Sequence, residues 1–351
     1  MTRDQPLRAA ATLVVAIAVS VVAYQAATVF APLTLGLFII ALVWPAQNWL
    51  QRWMPKLAAL AIVVAATVVV VVAFAALIVW GFARVTTALI ADVARYQEVF
   101  NMAVDWLNRH GVSMAGVWAE NVNVSRILGW AQQVTSRVTT TLSFWLIALL
   151  YVILGLTEVD DMRRKLLAFV EPEAAKTFLS ATADTARKFR AYMVVRTEMS
   201  LATGALVGLF AWAVGLKFPI EWGVIAFALN YIPFIGPFVA TLVPTLLEMA
   251  QFTTWEAVLG LFVCLNIIQF VIGSYIEPRV AGVVLAISPV VVLFAVFFGT
   301  YIWGLYGAFI GVPIVIAGVT FCSHYPSTRW IADLFGGPRR TKARQDEIAQ
   351  P

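Results

Sequence analysis

The stretch Leu57–Phe82, LAALAIVVAATVVVVVAFAALIVWGF, decides the fold class, because its 26 residues contain no charge and Thr67 is its interior polar residue. At a rise of about 1.5 Å per residue, such a helix exceeds the ~30 Å thickness of a bilayer's hydrocarbon core and leaves room for tilt. Lipid offers no partner for backbone N–H and C=O groups, and a helix satisfies them internally. The stretch therefore predicts a transmembrane helix.

The composition of the whole chain supports the same conclusion. Its 351 residues are 62% hydrophobic, with 12% charged residues and a mean hydropathy of +0.87. Soluble domains carry about 25% charged residues, and a soluble protein could not bury so much apolar surface. Cys264 and Cys322 both lie in apolar segments, and His110 and His324 are far apart. We therefore expect no disulfide framework, no metal site and no cofactor.

Apolar segments recur along the chain and predict an all-α, polytopic membrane protein. They are long and rich in Ala, Leu and Val, and they lack the alternation of barrel strands. The expected architecture is about eight transmembrane helices, a re-entrant hairpin broken by Pro and Gly, and two amphipathic helical insertions. The residues leave open whether 283–323 forms two full spans or a second hairpin. The apolar segments are 7–30, 33–47, 57–82, 140–157, 199–216, 221–250, 255–276, 283–302 and 304–323.

Two connecting segments are amphipathic rather than apolar. In both, apolar residues recur near helical spacing with charged residues between them, and Pro172 fits the first turn of a helix. Solvated helices beside the membrane explain both segments, and a partner or gating surface is the alternative. The predicted parts are the N-terminal transmembrane helices 1–83, a periplasmic segment 84–139, a transmembrane helix 140–157, cytoplasmic helices 158–198, a transport core 199–323 with the re-entrant hairpin 221–250, and a basic cytoplasmic tail 324–351.

The distribution of basic residues predicts the orientation. With the N-terminus inside and 221–250 entering and leaving on one side, 18 of the 24 lysines and arginines are cytoplasmic. This threefold excess agrees with the positive-inside rule. If 221–250 crossed the membrane once, the basic cluster at 339–344 would move outside. Both termini are therefore expected in the cytoplasm, and the net charge of +5 reflects topology rather than nucleic-acid binding.

The sequence NYIPFIGP at 230–237 interrupts an otherwise apolar segment. Pro233 and Pro237 each remove a backbone donor, and Gly236 permits conformations that other residues avoid. Non-helical backbone at membrane depth is tolerated where protein buries it or where it lines a wet cavity. Secondary transporters often bind substrate at such breaks. These three residues and Asn230 are therefore candidates for the substrate path, with a simple kink or a surface turn as the alternative.

A second group of candidates follows the hairpin. Glu277 and Arg279 can pair locally, or each can gate a path by pairing elsewhere. Asn266 and Gln269 lie one turn apart on the apolar helix that precedes them. Polar groups inside a span mark a pathway or hold helices together, and the sequence does not separate these roles.

Further candidates concern packing and proton coupling. The spacings Gly204-x-x-x-Gly208 and Gly307-x-x-x-Gly311 allow close helix approach. Glu198 is an acid near the inner end of a span, so it could carry a proton, although exposure at the interface would also explain it. The chain has no G-x-x-x-x-G-K-[ST], HExxH or G-x-S-x-G motif, so we do not expect an enzyme.

Four stretches, in this order and at this spacing, resemble the autoinducer-2 exporter family of bacterial permeases. The resemblance implies an inner-membrane transporter with cytoplasmic termini, and homopentamers in which one bundle moves against a scaffold. It also implies export of the furanone autoinducer-2 and, for some members, sodium/proton exchange. Many relatives have a glutamine where this chain has Glu198, which leaves the coupling ion open. The four stretches are Tyr192–Gly208, NYIPFIGPFVA at 230–240, IEPRVAG at 276–282 and GLYGAFIGVPI at 304–314.

Three functions remain in competition at this stage. The first is a secondary transporter or exporter of a small polar molecule, with the lipid bilayer and that substrate as its partners. The second is a cation/proton antiporter that uses Glu198, Glu277 or both. The third is an oligomeric membrane scaffold or channel without substrate coupling. The first two need polar groups at the break, and the third does not.

Overall fold

A computed structural model describes most of the predicted transmembrane part of the chain. The described residues are 5–91, 138–249, 251–252, 254–281 and 287–336, with the single positions 95, 98, 101, 102, 105 and 109. Most of the predicted periplasmic segment 84–139 and the basic cluster at 339–344 therefore lie outside the described residues.

The described elements are helices, apart from one isolated bridge between Ile287 and Gly336. This confirms the all-α prediction. The helices are α1 (Gln5–Gln25), α2 (Ala27–Leu50), α3 (Lys56–Ala91), α4 (Val138–Phe169), α5 (Pro172–Ala213), α6 (Pro219–Leu229), α7 (Ile235–Glu248), α8 (Trp255–Phe270), a π-helical turn (Val271–Ile276), α9 (Glu277–Ala281), α10 (Pro289–His324) and α11 (Arg329–Phe335).

Six helices in the described part of the chain are long and apolar enough to cross a membrane. They confirm a multi-pass membrane protein, while the count of eight spans stays a prediction. The count differs because α1 is not among the six and because 283–302 and 304–323 fall largely within α10. The six are Ala27–Leu50, Lys56–Ala88, Ser143–Phe169, Pro172–Ala213, Trp255–Val280 and Pro289–His324.

Two of these helices run through boundaries that the sequence placed by polarity. Helix α4 continues past residue 157, and α5 continues through 198, so both predicted boundaries lie inside helices. Neither helix contains a proline beyond its first turn. A change from apolar to polar residues does not by itself end a helix, since the backbone hydrogen bonds continue unchanged.

The helices form two units. The first unit comprises 1–65, 144–193 and 281–351, and the second comprises 66–143 and 194–280. The core of the first unit includes two clusters of buried apolar side chains on α2, α3, α4 and α10, centred on Leu35, Ala148, Ile310, Val63, Val152 and Leu156.

Helix α10 of the first unit is broken in its middle. Trp303 has non-helical angles, and Gly304 has φ 60 and ψ −139, which favour glycine. A Cβ on Gly299 or Gly307 would overlap the other's carbonyl oxygen, and a Cβ on Gly311 would overlap that of Ala295. Because these contacts are symmetric about the break, the arms 289–302 and 305–324 form an antiparallel hairpin. The first arm has 14 residues, about 21 Å, which is shorter than the ~30 Å apolar thickness of a bilayer.

The second unit is built around α6 and α7, with α5, α8 and the end of α3 packed on them. Close approach of α5 to α6 depends on glycine: a Cβ on Gly204 would lie 2.7 Å from the carbonyl oxygen of Gly223, and one on Gly208 would lie 3.3 Å from that of Pro219. The core of this unit contains Val85, Val207, Ala211, Leu216, Trp222, Ile225, Ala226, Ala240, Leu261 and Leu265.

Candidate functional site

Helices α6 and α7 form a hairpin. At its open end, where the chain enters α6 and leaves α7, side-chain hydrogen bonds join the two arms. Trp222 Nε1, at the start of α6, donates to Glu248 Oε1, at the end of α7, at 3.0 Å. Gln251 Nε2 donates to the carbonyl of Gly215 at 2.8 Å, and Gln251 Oε1 accepts from the backbone N–H of Lys217 at 3.1 Å. The chain therefore enters and leaves the hairpin at the same end.

The tip of this hairpin is a strained turn. Ile235 N donates to the carbonyl of Pro233 at 2.7 Å, and the intervening Phe234 has φ 63 and ψ −52, which together describe a γ-turn of the rare positive-φ form. A Cβ on Gly236 would overlap the carbonyl of Leu229, so only glycine fits there. Pro237 lies in the first turn of α7, where its missing N–H costs no helical hydrogen bond.

Polar side chains connect the tip to α5. Asn230 Nδ2 donates to Ser200 Oγ at 3.2 Å, and both residues are buried. Tyr231 Oη donates to Thr197 Oγ1 at 3.0 Å. Thr203 is also buried and donates to the Met199 carbonyl of its own helix at 2.8 Å. The predicted polar contact of Asn230 is thus made to a hydroxyl on α5.

A partly buried ion pair lies one helical turn along α5 from these contacts. Arg196 Nη1 is 3.0 Å from Glu277 Oε1 and 3.1 Å from Oε2, with the two side chains 8% and 26% exposed. The π-helical turn, an element often found at functional sites, ends directly before Glu277. Arg279 is exposed, and its guanidinium lies 3.6 Å from the ring centre of Tyr275. Glu277 could have paired with its neighbour Arg279 or with a distant residue. In the structure it pairs with the distant Arg196.

The two amides of α8 have different surroundings. Asn266 is exposed and donates to the Phe262 carbonyl of its own helix at 2.8 Å. Gln269 is 9% exposed and shares a buried stripe with Leu265 and Ile272. Its Nε2 has no hydrogen-bond partner among the described residues. A buried amide without a partner requires an explanation, and a bound solute or water would supply it.

Glu198 lies on the exposed side of α5, while Met199 and Ser200 beside it are buried. The sequence drew attention to Arg196 and Glu198, while Ser200 and Thr203 were not among the candidates. Arg196, Ser200 and Thr203 follow the spacing i, i+4, i+7, so they share one helix face. This row of polar residues on one face of α5 could have identified the two hydroxyl groups.

Two further buried acids, neither of which was a candidate from the sequence, lie at the open end of the hairpin. Glu221 Oε1 is 3.1 Å from Arg84 Nε, and its side chain is 8% exposed. Glu248 is 4% exposed and accepts the hydrogen bond of Trp222. Both acids flank an apolar segment, which is the feature that could have drawn attention to them.

Two further findings in the described residues concern metal sites and clefts. Among them, no group of three or more His, Cys, Asp or Glu side chains is arranged to hold a metal ion. A cleft of about 530 Å³ belongs to the first unit and is open at the surface; its lining is Lys56, Asp160, Arg163, Arg164 and Leu167.

Similarity to known proteins extends over nearly the whole chain. Residues 13–327 match the model of the AI-2E family transporter. The AI-2 transport protein TqsA of Escherichia coli (strain K12) is 26% identical over 294 residues, covering 83% of this chain and 84% of the relative. YrrI of Bacillus subtilis (strain 168), described as a candidate transport protein, is 24% identical over 303 residues, covering 82% and 83%. A candidate transport protein of Borreliella burgdorferi is 31% identical over 169 residues, covering 48% and 46%.

Proposed function

The chain belongs to the AI-2E family of transporters, and we propose that it is a secondary transporter that exports a small polar molecule across the bacterial inner membrane. The observation that carries this proposal is the buried polar cluster between the hairpin tip and α5. It comprises the hydrogen bonds of Asn230 and Tyr231 to α5 and the Arg196–Glu277 ion pair. A scaffold without substrate would have no need for these groups.

The geometry of the hairpin supports a re-entrant element. Helices α6 and α7 have 11 and 14 residues, about 17 and 21 Å, so neither arm alone crosses ~30 Å of hydrocarbon. The end of α5 at Ala213 lies near the hairpin's open end, and Ser200 at the tip is 13 residues earlier. That distance is about 20 Å along the helix, which supports a position of the cluster in the membrane interior. With the proposed topology, the open end faces the periplasm.

The chemistry of the cluster suits an uncharged substrate rich in hydroxyl groups. Asn230, Ser200 and Tyr231 offer neutral donors and acceptors, and the charges of the neighbouring ion pair cancel. A few neutral hydrogen-bonding groups in mostly apolar surroundings can hold a small polar solute in one orientation. Autoinducer-2, for whose transport the TqsA relative is named, is such a molecule, so we propose an autoinducer-2-like substrate.

The Arg196–Glu277 pair is proposed as the cytoplasmic gate of the path. Both residues lie at the end of the cluster opposite the open end of the hairpin, so their separation would connect the cluster to the cytoplasm. A buried pair of this kind holds one state closed and is costly to break one side at a time. The moving part would be the second unit, which contains the α6–α7 hairpin, and the family resemblance implies that the chain works as a homopentamer.

We expect replacement of Asn230 with alanine to slow autoinducer-2 flux in proteoliposomes about tenfold. The substitution leaves Ser200 without its partner in a buried site, and an unmet buried hydrogen bond costs about 1–3 kcal/mol. Asn266→Ala is the matched control, because Asn266 is exposed and bonds its own helix; flux should stay within about twofold. Equal effects of the two variants would contradict the site, and absence of flux in the unmodified protein would favour the scaffold alternative.

The proposed topology predicts opposite labelling of two exposed acids. In a variant with Cys264 and Cys322 replaced by serine, Glu256→Cys should react with an impermeant maleimide on intact cells. Glu173→Cys should react only after permeabilisation, because 18 of 24 basic residues place α5's start inside. Labelling of both from the same side would contradict the orientation. Labelling of Lys342→Cys only from outside would contradict the re-entrant hairpin.

A further inference from the structure

The two buried acids at the open end of the hairpin are stabilised in different ways. Arg84 Nε lies 3.1 Å from Glu221 Oε1, so the negative charge of the Glu221 carboxylate is balanced by an ion pair. Glu248 is more buried, at 4% exposed, and the positive charge that acts on it is that of the exposed Lys217 rather than an adjacent arginine. An isolated carboxylate in such a place is costly, and it commonly takes up a proton instead.

The hydrogen bond from Trp222 is compatible with both charge states of Glu248. Trp222 Nε1 is a donor only, and it donates to Oε1 at 3.0 Å. A carboxylate accepts this bond at Oε1, and a neutral carboxyl accepts it equally as a carbonyl while Oε2 carries the proton. Binding of one proton thus removes one negative charge without breaking the link between the arms, but it weakens that link, because bonds to ionised groups are stronger.

The charged groups at this end of the hairpin come from four elements. Lys217, in the segment before α6, has an exposed side chain with Nζ 5.9 Å from the ring centre of Phe218, and its positive charge acts on the Glu248 carboxylate. Glu221 on α6 forms an ion pair with Arg84 of α3. Glu256 on α8 is exposed. Glu248 is therefore the acid at this end that combines burial with the lack of an arginine partner in the described structure.

We propose that Glu248 is the proton-binding residue that couples movement of the α6–α7 hairpin to a proton gradient. The carboxylate takes one proton from the periplasmic water at the open end, becomes a neutral acid, and releases the proton to the cytoplasmic side after the hairpin has moved, so one proton crosses the membrane in each cycle. Glu198 is exposed, and Glu277 forms an ion pair with Arg196. Neither of these two acids, which were chosen from the sequence, is buried without an arginine partner as Glu248 is. The inference rests on the proposed transport function.

Infrared spectroscopy of the full-length protein in lipid tests proton binding without a substrate. At neutral pH exposed carboxyls are ionised, so a carboxylic-acid C=O band that disappears at alkaline pH reports a buried proton. We expect this band in the unmodified protein and in the Glu221→Gln and Glu256→Gln controls, and its loss in Glu248→Gln. A band that persists unchanged in Glu248→Gln would overturn the proposal.

Transport assays then test the coupling, with autoinducer-2 as the probe. Glu248→Gln keeps the size of the side chain and an oxygen for Trp222, so it should retain exchange of labelled for unlabelled probe at equal pH. It should lose accumulation driven by a pH gradient by tenfold or more, while Glu256→Gln keeps both activities. Gradient-driven accumulation equal to the unmodified protein would overturn the proposal, as would loss of both activities in a folded variant. Failure of the unmodified protein to exchange the probe would refute the proposed function, and the infrared result would still decide proton binding.

Discussion

Replacement of Glu277 with glutamine is expected to lower the transport rate about 30–100-fold. The change leaves the Arg196 guanidinium, whose side chain is 8% exposed, without its counter-charge. Breaking one side of a fully buried pair costs about 3–5 kcal/mol, and the 26% exposure of Glu277 lowers the expected cost to about 2–3 kcal/mol. Arg196→Gln should cause a similar loss, since it leaves the carboxylate unpaired.

A double-mutant cycle distinguishes the effect of the Arg196–Glu277 pairing from the effects of each residue alone. The variant with both Arg196→Gln and Glu277→Gln should recover at least tenfold over either single variant, because no buried charge remains. Arg279→Gln is the control: Arg279 is exposed and stacks on Tyr275, an interaction worth about 0.5–1 kcal/mol, so its rate should change little. Thermal stability measured in detergent shows whether folding accounts for the losses. Additive effects of the two substitutions would contradict a coupled gate.

Replacement of Gly236 with alanine is expected to abolish transport while the protein still accumulates in the membrane. The added Cβ would overlap the Leu229 carbonyl at the point where the hairpin tip closes, so the turn could not form. That turn already holds Phe234 at a positive φ and has little freedom to adjust. Insertion should continue, because it depends on the hydropathy of the long helices.

Gly273→Ala provides the matched control for this experiment. No atom lies within 4 Å of the position that its Cβ would occupy, so there is space for the methyl group. We expect near-normal transport from Gly273→Ala and none from Gly236→Ala at equal membrane abundance, measured by quantitative blotting and flux. Normal flux from Gly236→Ala would show that the tip does not need this close backbone approach. Equal losses from both variants would show a general sensitivity to added methyl groups.

Local chemistry made the helical class and the position of the break predictable from the sequence. The length of Leu57–Phe82 fixes a transmembrane helix, since lipid leaves the backbone no other way to satisfy its hydrogen bonds. Pro233 and Gly236 interrupt a helix wherever they occur in this arrangement, and the structure has a turn there. These features depend on residues near one another in the chain.

Part of the candidate site followed from the same local reasoning, and part did not. Asn230 and Gln269 were selected as polar groups in apolar segments, and both are buried in the structure. Ser200 and Thr203 were passed over, because hydroxyl side chains often bond their own helix and carry little positional information. The boundaries set by polarity stay predictions about the membrane surface, because α4 and α5 continue through them as helices.

Only the tertiary structure decided which charges are buried and which are paired. From the sequence, Glu277 could pair with its neighbour Arg279 or with a group elsewhere, and in the structure it pairs with Arg196, 81 residues away. Glu198 is exposed and Glu248 is buried against Trp222, although both are acids at the edge of apolar segments. The symmetric packing of Gly299 and Gly307 likewise made a hairpin of 289–324. Burial and pairing depend on which helix faces meet, and that is fixed by contacts between residues distant in the chain, which hydropathy and spacing along one segment do not specify.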